Sequence, residues 1–267
     1  MKKAIALLLI VICTCAALGI PAAADAKKVT VATAGDVRPF AYENQGKLTG
    51  YDIEVIKAAK KFIKGYQITF TKTSWKSIFA GLDSGRYQMA ANNLSYTKER
   101  GAKYLYSLPI AKNPLVLAVP KYSDINSLED IGGKTTQDDT GTSTAKLVED
   151  WNKKHSQKPS KIAYSGEDAT KRMMDLEAGE FDYLIFDKVS VETVIKQKGL
   201  RLKTIELKTD DNPNNYIVFS NDSKNLQKQF NRALKRLWRT GRLKDLSQKY
   251  LGGVYLPDKK EWEKAND

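Results

Sequence analysis

The sequence predicts an α/β fold in two lobes, a clamshell in which each lobe is a mainly parallel sheet with flanking helices. Three observations support it. Residues 27–100 alternate strand-like and helix-like segments in the order β-α-β-α-β, which implies parallel strands under covering helices. The alternation breaks at two turn-rich stretches, 107–114 with its two prolines and 210–215 around Pro213, and resumes between them. About 240 residues come after the apolar leader, enough for two small lobes. The predicted division is a leader over 1–26, a first lobe over 27–111 and 213–267, and a second lobe over 112–212, with two hinge strands between the lobes.

The first strand is expected over 27–32, where Val29 and Val31 share a face; Gly35 to Phe40 then forms a loop, and 46–50 a turn. From Asp52 the spacing is helical, with Ile53, Ile56, Ala59 and Ile63 on one stripe. Residues 67–71 read as the second strand. Ser74 caps a helix whose Trp75, Ile78, Phe79 and Leu82 fall on one face, and Gly85 ends it. The third strand covers 87–91. Beyond the first crossing, 115–119 is a strongly apolar strand and a helix opens at Gly141-Thr142-Ser143-Thr144. Helices over 167–178 and 189–198 enclose a buried strand ending at Asp187, and 201–207 is a further strand. After the return crossing, 216–219 is a strand. A long helix comes next, carrying Leu226, Phe230, Ala233, Leu234, Leu237 and Trp238.

The start of the chain reads as an export address. Lys2 and Lys3, an apolar run over 4–20 and small residues ahead of Ala24 and Ala26 describe a secretory signal peptide. Both cysteines, Cys13 and Cys15, fall inside it. A cell-surface lipoprotein would use one of them, although Ile12 and Thr14 before them fit a lipidation signal poorly. Cleavage after Ala24 or Ala26 leaves no cysteine, so disulfide and thiol chemistry are not expected. The formal charge is +13, yet the lysines are spread through almost every segment without a nucleic-acid motif. A solvated basic surface is the expectation, with no nucleic-acid partner.

Chemistry concentrates in Asn92-Asn93-Leu94-Ser95-Tyr96-Thr97-Lys98-Glu99-Arg100, where a strand gives way to a helix. Open α/β sheets bind ligands at such places. Arg100 offers a planar donor fork suited to a carboxylate, with Asn92, Asn93 and Ser95 adding dipoles nearby. The competing reading is an ordinary surface turn. The chain contains no metal-ligand cluster, Ser/His pair or phosphate-cradling glycine loop, and no cofactor is expected.

This stretch, with Pro39-Phe40, the run from Gly46 to Glu54, Trp75 with Gly81-Leu82-Asp83, Gly141-Thr142-Ser143, Gly179-Glu180-Phe181-Asp182 with Asp187, and Gly241-Arg242-Leu243, resembles the family 3 extracellular solute-binding proteins, the amino-acid receptors of ABC importers. The resemblance spans nearly the whole chain after the leader. It implies a periplasmic or otherwise secreted monomer that hands an amino-acid ligand to a membrane permease. It further implies that Arg100 grips the ligand's carboxylate, Asp187 receives its ammonium and Trp75 packs on its side chain, while Thr142 and Ser143 face the carboxylate from the second lobe. A helix opening near Thr142 would aim free N–H groups at an anion. Plainer readings remain open: Trp75 as core, Asp187 as a helix cap, Thr142 as a helix start and His155 as a surface residue. Val37 and Ala34 stand where the family usually has an aromatic and an acid. Arg38 beside them favours an acidic side chain, whereas the general pattern favours cystine or a polar amino acid. Two other functions on the same fold are an enzyme resembling the dehydratases of cyclic carboxylic acids, and a sensory ligand-binding module.

Overall fold

The computed structural model describes residues 26–207 and 213–264. The leader with Cys13 and Cys15, and residues 210–212 of the return crossing, lie outside the described residues. In chain order the strands and helices are β1 (Lys27–Thr33), β2 (Asp36–Val37), β3 (Ala41–Asn44), β4 (Lys47–Thr49), α1 (Tyr51–Ala59), β5 (Tyr66–Lys72), α2 (Trp75–Asp83), β6 (Met89–Ser95), α3 (Lys98–Gly101), β7 (Leu105–Tyr106), β8 (Ala111–Lys112), β9 (Leu115–Pro120), β10 (Thr135–Asp138), α4 (Ser143–Lys154), β11 (Lys161–Tyr164), α5 (Ala169–Ala178), β12 (Leu184–Asp187), α6 (Lys188–Lys198), β13 (Leu202–Glu206), β14 (Asn214–Phe219), α7 (Lys224–Arg239), α8 (Arg242–Leu251) and α9 (Lys259–Lys264).

A six-stranded sheet has the order β5-β1-β6-β14-β7, with β8 also on β14. β1 runs parallel to β5 and β6, as helical crossovers require, but β14 is antiparallel to β6. A second sheet places β9 between β12 and β13, antiparallel to both, while β10 and β11 form a separate parallel pair. The sheets are therefore mixed, which corrects the expectation of mainly parallel ones. β14 joins β6, and β9 meets β12 and β13, without the crossover direction of a βαβ unit. β8 and the start of β14 run side by side, Asn214 opposite Lys112 and Asn215 opposite Ala111.

The core lies along the apolar stripes. On α7, Leu226, Phe230, Ala233, Leu234 and Leu237 turn inward against Ile53 and Ile56 of α1, and Phe230 meets Phe219 of β14 edge-on at 5.5 Å. Separate apolar clusters cover the β9 sheet, with Val116, Met173 and Leu176 on one side and Leu117, Val119 and Trp151 on the other. Where the sequence predicts loop and turn, the chain forms a polar hairpin, β2-β3-β4. Its strands are too short and exposed to show an alternating pattern, and Gln45 (φ 49°) and Gly46 (φ 74°) close its tight turn.

One irregularity in β6 shapes the cleft between the sheets. Leu94 pairs with Tyr216 and Ala90 with Val218, so three residues of β6 lie opposite the single Ile217 of β14. Within this bulge Asn93 takes a left-handed φ of 51°, a conformation asparagine tolerates better than most residues. A bulge bends its strand and re-aims side chains. Here it leaves consecutive residues, Asn92 and Asn93, both lining the same cleft.

Candidate functional site

The cleft has a volume of about 920 Å³ and takes its walls from both sheet systems. Arg100, Asp187, Trp75, Asn92, Asn93, Ser95, Thr142 and Ser143 all line it. Arg38 does not: its guanidinium stacks 4.0 Å over the Tyr42 ring and reaches the Glu43 carbonyl, in the hairpin.

Arg100 is placed by the short helix α3, whose N-cap Thr97 accepts the Arg100 N–H at 3.1 Å. Its side chain is buried, with the residue only 8% exposed, and lies 4.6 Å over Phe79 and 5.4 Å from the Trp75 ring. It donates to the Gly141 carbonyl at 2.9 Å and the Ser95 carbonyl at 3.4 Å. Among the described residues it has no ion pair. Burial lowers its pKa from the usual arginine value, outweighing the opposing pull of nearby groups.

Asp187 ends β12 and is 5% exposed. It caps α6 by accepting the Ser190 N–H at 2.8 Å, so the capping reading holds. The same carboxylate accepts amide N–H bonds from Asn113 and Asn93, both at 2.7 Å. Its partners are neutral, and burial pushes its pKa up to about 6. The cap and the cleft position thus coexist in one residue.

Behind Asn93 stands Asp52, wholly buried in the first turn of α1. It accepts the Asn93 backbone N–H at 2.7 Å and the Asn215 amide at 3.1 Å, and burial raises its pKa to about 7. Asn113 closes the network, giving one N–H to Asp187 and accepting the Val189 N–H at 3.2 Å. Sequence reasoning missed Asp52, Asn113 and Asn215 as parts of the site. Their signal was an acidic residue inside an apolar helix stripe, and asparagines beside prolines in the two crossing stretches.

The remaining predicted residues divide by task. Asn92 spends its Oδ1 on the fold, accepting from Thr33 Oγ1 and the Ala34 N–H, both at 2.9 Å. Thr142 caps α4 by accepting the Ala145 N–H and donates to Asp138, so its hydroxyl is engaged. Ser143 Oγ lies 3.4 Å from Ser95 Oγ across the cleft. Trp75 Nε1 donates to the Thr140 carbonyl at 3.1 Å, which places the ring at the cleft rather than in a sealed core. Arg172 pairs with Asp138 and Asp139, anchoring α5 to the end of β10. Asp36 also lines the cleft; its Oδ1 is buried without a hydrogen-bond partner, and burial raises its pKa. His155 is half-buried, stacked 3.9 Å on Trp151 at the cleft lining rather than free at the surface.

A buried guanidinium and a buried carboxylate, each without an opposite charge, are chemically suited to a small zwitterion. Among the described residues no cluster of three or more His, Cys, Asp or Glu side chains is placed to hold a metal ion. The family model for bacterial extracellular solute-binding proteins, family 3, matches residues 29–253. The chain belongs to this family. The L-cystine-binding protein TcyA of Bacillus subtilis (strain 168) is 32% identical over 227 residues, covering 84% of this chain and 81% of that one. TcyJ of the same organism, also an L-cystine-binding protein, is 30% identical over 235 residues, covering 86% of each. Among solved structures, a chain from work on glutathione import via GshT and the cystine ABC importer TcyBC of Streptococcus mutans superposes with a TM-score of 0.86 at 51% identity, covering 88% of this chain and 99% of that one. This solute-binding protein therefore has the two-lobed fold expected, and its candidate ligand groups other than Arg38 line one cleft.

Proposed function

We propose that this solute-binding protein captures a ligand with an α-amino-acid head group, cystine or a sulfur-containing peptide such as glutathione, and delivers it to the permease of an ABC importer. The observation that carries this reading is the pair of uncompensated buried charges, Arg100 and Asp187, lining one cleft. Arg100 would take the α-carboxylate with its donor fork, and Asp187 the α-ammonium, displacing or sharing the Asn93 and Asn113 amides. Ser95, Ser143 and the N-terminus of α4 would hold the second carboxylate oxygen. A cleft of about 920 Å³ lies near the upper end of the usual ligand-site range and leaves room beyond one α-amino-acid head group. The protein would work as a monomer, exported by its leader. Its lobes would be 27–111 with 213–267 and 112–212, and the hydrogen bonds from Trp75 to Thr140 and from Arg100 to Gly141 would tie them in a closed form.

Isothermal calorimetry with L-cystine, glutathione and the standard amino acids tests this reading. The expected result is micromolar or tighter binding of L-cystine or glutathione, about 8 kcal/mol or more. Binding of none of them, or equal binding of a ligand lacking the α-carboxylate, would remove the proposal.

A further inference from the structure

The helix that closes the core on its inner side carries an unbroken row of cations on its outer side. Lys224, Lys228, Arg232 and Arg236 succeed one another at intervals of four along α7, which keeps them on one face, and all four are exposed. α7 contains no acidic residue. The 3-10 turn after α1, Lys60–Phe62, packs beside it and extends the row. There Lys60, Lys61 and Lys64 are exposed, the Lys64 N–H donates to Gln229 at 3.0 Å, and Arg236 lies 4.4 Å over the ring of Phe62. Phe62 is itself 40% exposed. Glu54 and Asp222 are the acids nearest in sequence to this face, and Glu54 is held by Lys57 at 2.7 Å. None of these cations lines the ligand cleft.

The chain enters the fold at this same place. The Lys27 N–H donates to Gly65 at 2.9 Å, next to Lys64, and Lys27 and Lys28 are exposed. The apolar run over 4–20 precedes that point in the sequence. The chain that follows this apolar run therefore enters the fold beside the cationic turn over 60–64.

We propose that the α7 face, with the turn over 60–64, is a docking surface for an anionic lipid bilayer. It would hold the receptor on the membrane while the cleft stays open to solute. Each lysine or arginine near an anionic surface adds to binding, and the attraction fades within a Debye length, about 8 Å at physiological salt. A row of cations around one exposed aromatic ring suits a headgroup layer, because the charges meet phosphates while the ring enters the interface. Spread evenly over the molecule, the same charge would favour no orientation.

The test is co-sedimentation of a chain beginning at Ala26, which retains every described strand and helix, with vesicles. Phosphatidylglycerol mixed into phosphatidylcholine is compared with phosphatidylcholine alone. Binding should require phosphatidylglycerol at about 50 mM salt and be lost at about 500 mM. The variant Lys61→Glu/Lys228→Glu/Arg232→Glu should bind at least a hundredfold more weakly, on the order of a fivefold loss per cation removed. The variant Lys121→Glu/Lys196→Glu/Lys198→Glu carries the same charge change at exposed sites outside this face and should retain binding. Calorimetric affinity for the cleft ligand should be unchanged in both, which separates this surface from the ligand site. Equal losses in the two variants, or no dependence on phosphatidylglycerol, overturn the proposal. So does displacement from the vesicles by soluble poly(glycerol phosphate) at lower phosphate concentration, which would assign the face to a polyanionic polymer.

Discussion

Replacing Arg100 with methionine separates binding from stability, because the structure assigns the side chain opposite effects on the two. In the ligand-free protein the guanidinium is buried without a counter-ion, which costs desolvation energy. That cost is offset by the hydrogen bond to the Ser95 carbonyl within the same lobe and the stack on Phe79. The hydrogen bond from a charged donor is worth about 1.5–3 kcal/mol and the stack about 0.5–2 kcal/mol. The desolvation penalty removed by methionine is of similar size, so ligand-free stability should change by no more than about 2 kcal/mol. Binding loses the charged pair with nothing in return. Truncating one partner of a buried charge pair costs about 2–5 kcal/mol, which raises Kd from about 30-fold to several thousand-fold. Calorimetry reads the affinity and urea unfolding of the ligand-free protein reads the stability. Arg100→Lys should fall between, since it keeps the charge and loses the fork and the stack. A Kd within about threefold of wild type would refute the role assigned to Arg100. Loss of more than about 4 kcal/mol in the ligand-free protein would instead make it a structural pillar.

The same geometry sets four further outcomes. Asp187 and Asp52 have folded pKa values raised to about 6 and about 7, so the folded protein holds protons that the unfolded chain releases. Their contribution to ligand-free stability is fully present below about pH 4 and is lost as pH rises through 6 and 7. Asp187→Asn keeps a helix cap, and should flatten the lower part of that dependence in thermal unfolding. A ligand ammonium at Asp187 favours the carboxylate, so binding near pH 6 should release a fraction of a proton and binding at pH 8 almost none, as read by calorimetry in buffers of different ionisation enthalpy. Trp75→Phe removes the indole N–H to Thr140 bond across the cleft and should weaken ligand binding by about 1 kcal/mol, or roughly fivefold, with little effect on ligand-free stability. Gly50 has φ 111°, and a Cβ there would collide with the Phe40 carbonyl oxygen, a backbone atom that cannot step aside. Gly50→Ala should cost about 3 kcal/mol or more in urea unfolding, and soluble protein of wild-type midpoint would contradict it.

The α/β class, most helices to within a few residues, the strand-to-helix stretch around Arg100 and the family are all legible in the order of residues alone. These are local properties: apolar spacing sets which face of α2 or α7 turns inward, and glycine or a capping hydroxyl marks an end. Other features come from the folded arrangement and leave no local pattern. β9 and β14 run against their neighbours because direction in a sheet depends on where the chain has come from. β11, exposed at three of its four residues beside β10, has no stripe to reveal it. Arg38 sits in a hairpin whose strands pair only after folding, so proximity in sequence to Pro39 said nothing about the cleft. Asp52, Asn93, Asn113, Asn215 and Asp187 meet from five distant parts of the chain. Asn93, in the bulge of β6, links the two acids, giving its backbone N–H to Asp52 and its amide to Asp187, while Asn113 and Asn215 each add a bond to one of them. Burial sets the pKa of both acids there, and burial is a property of the assembled molecule rather than of any segment.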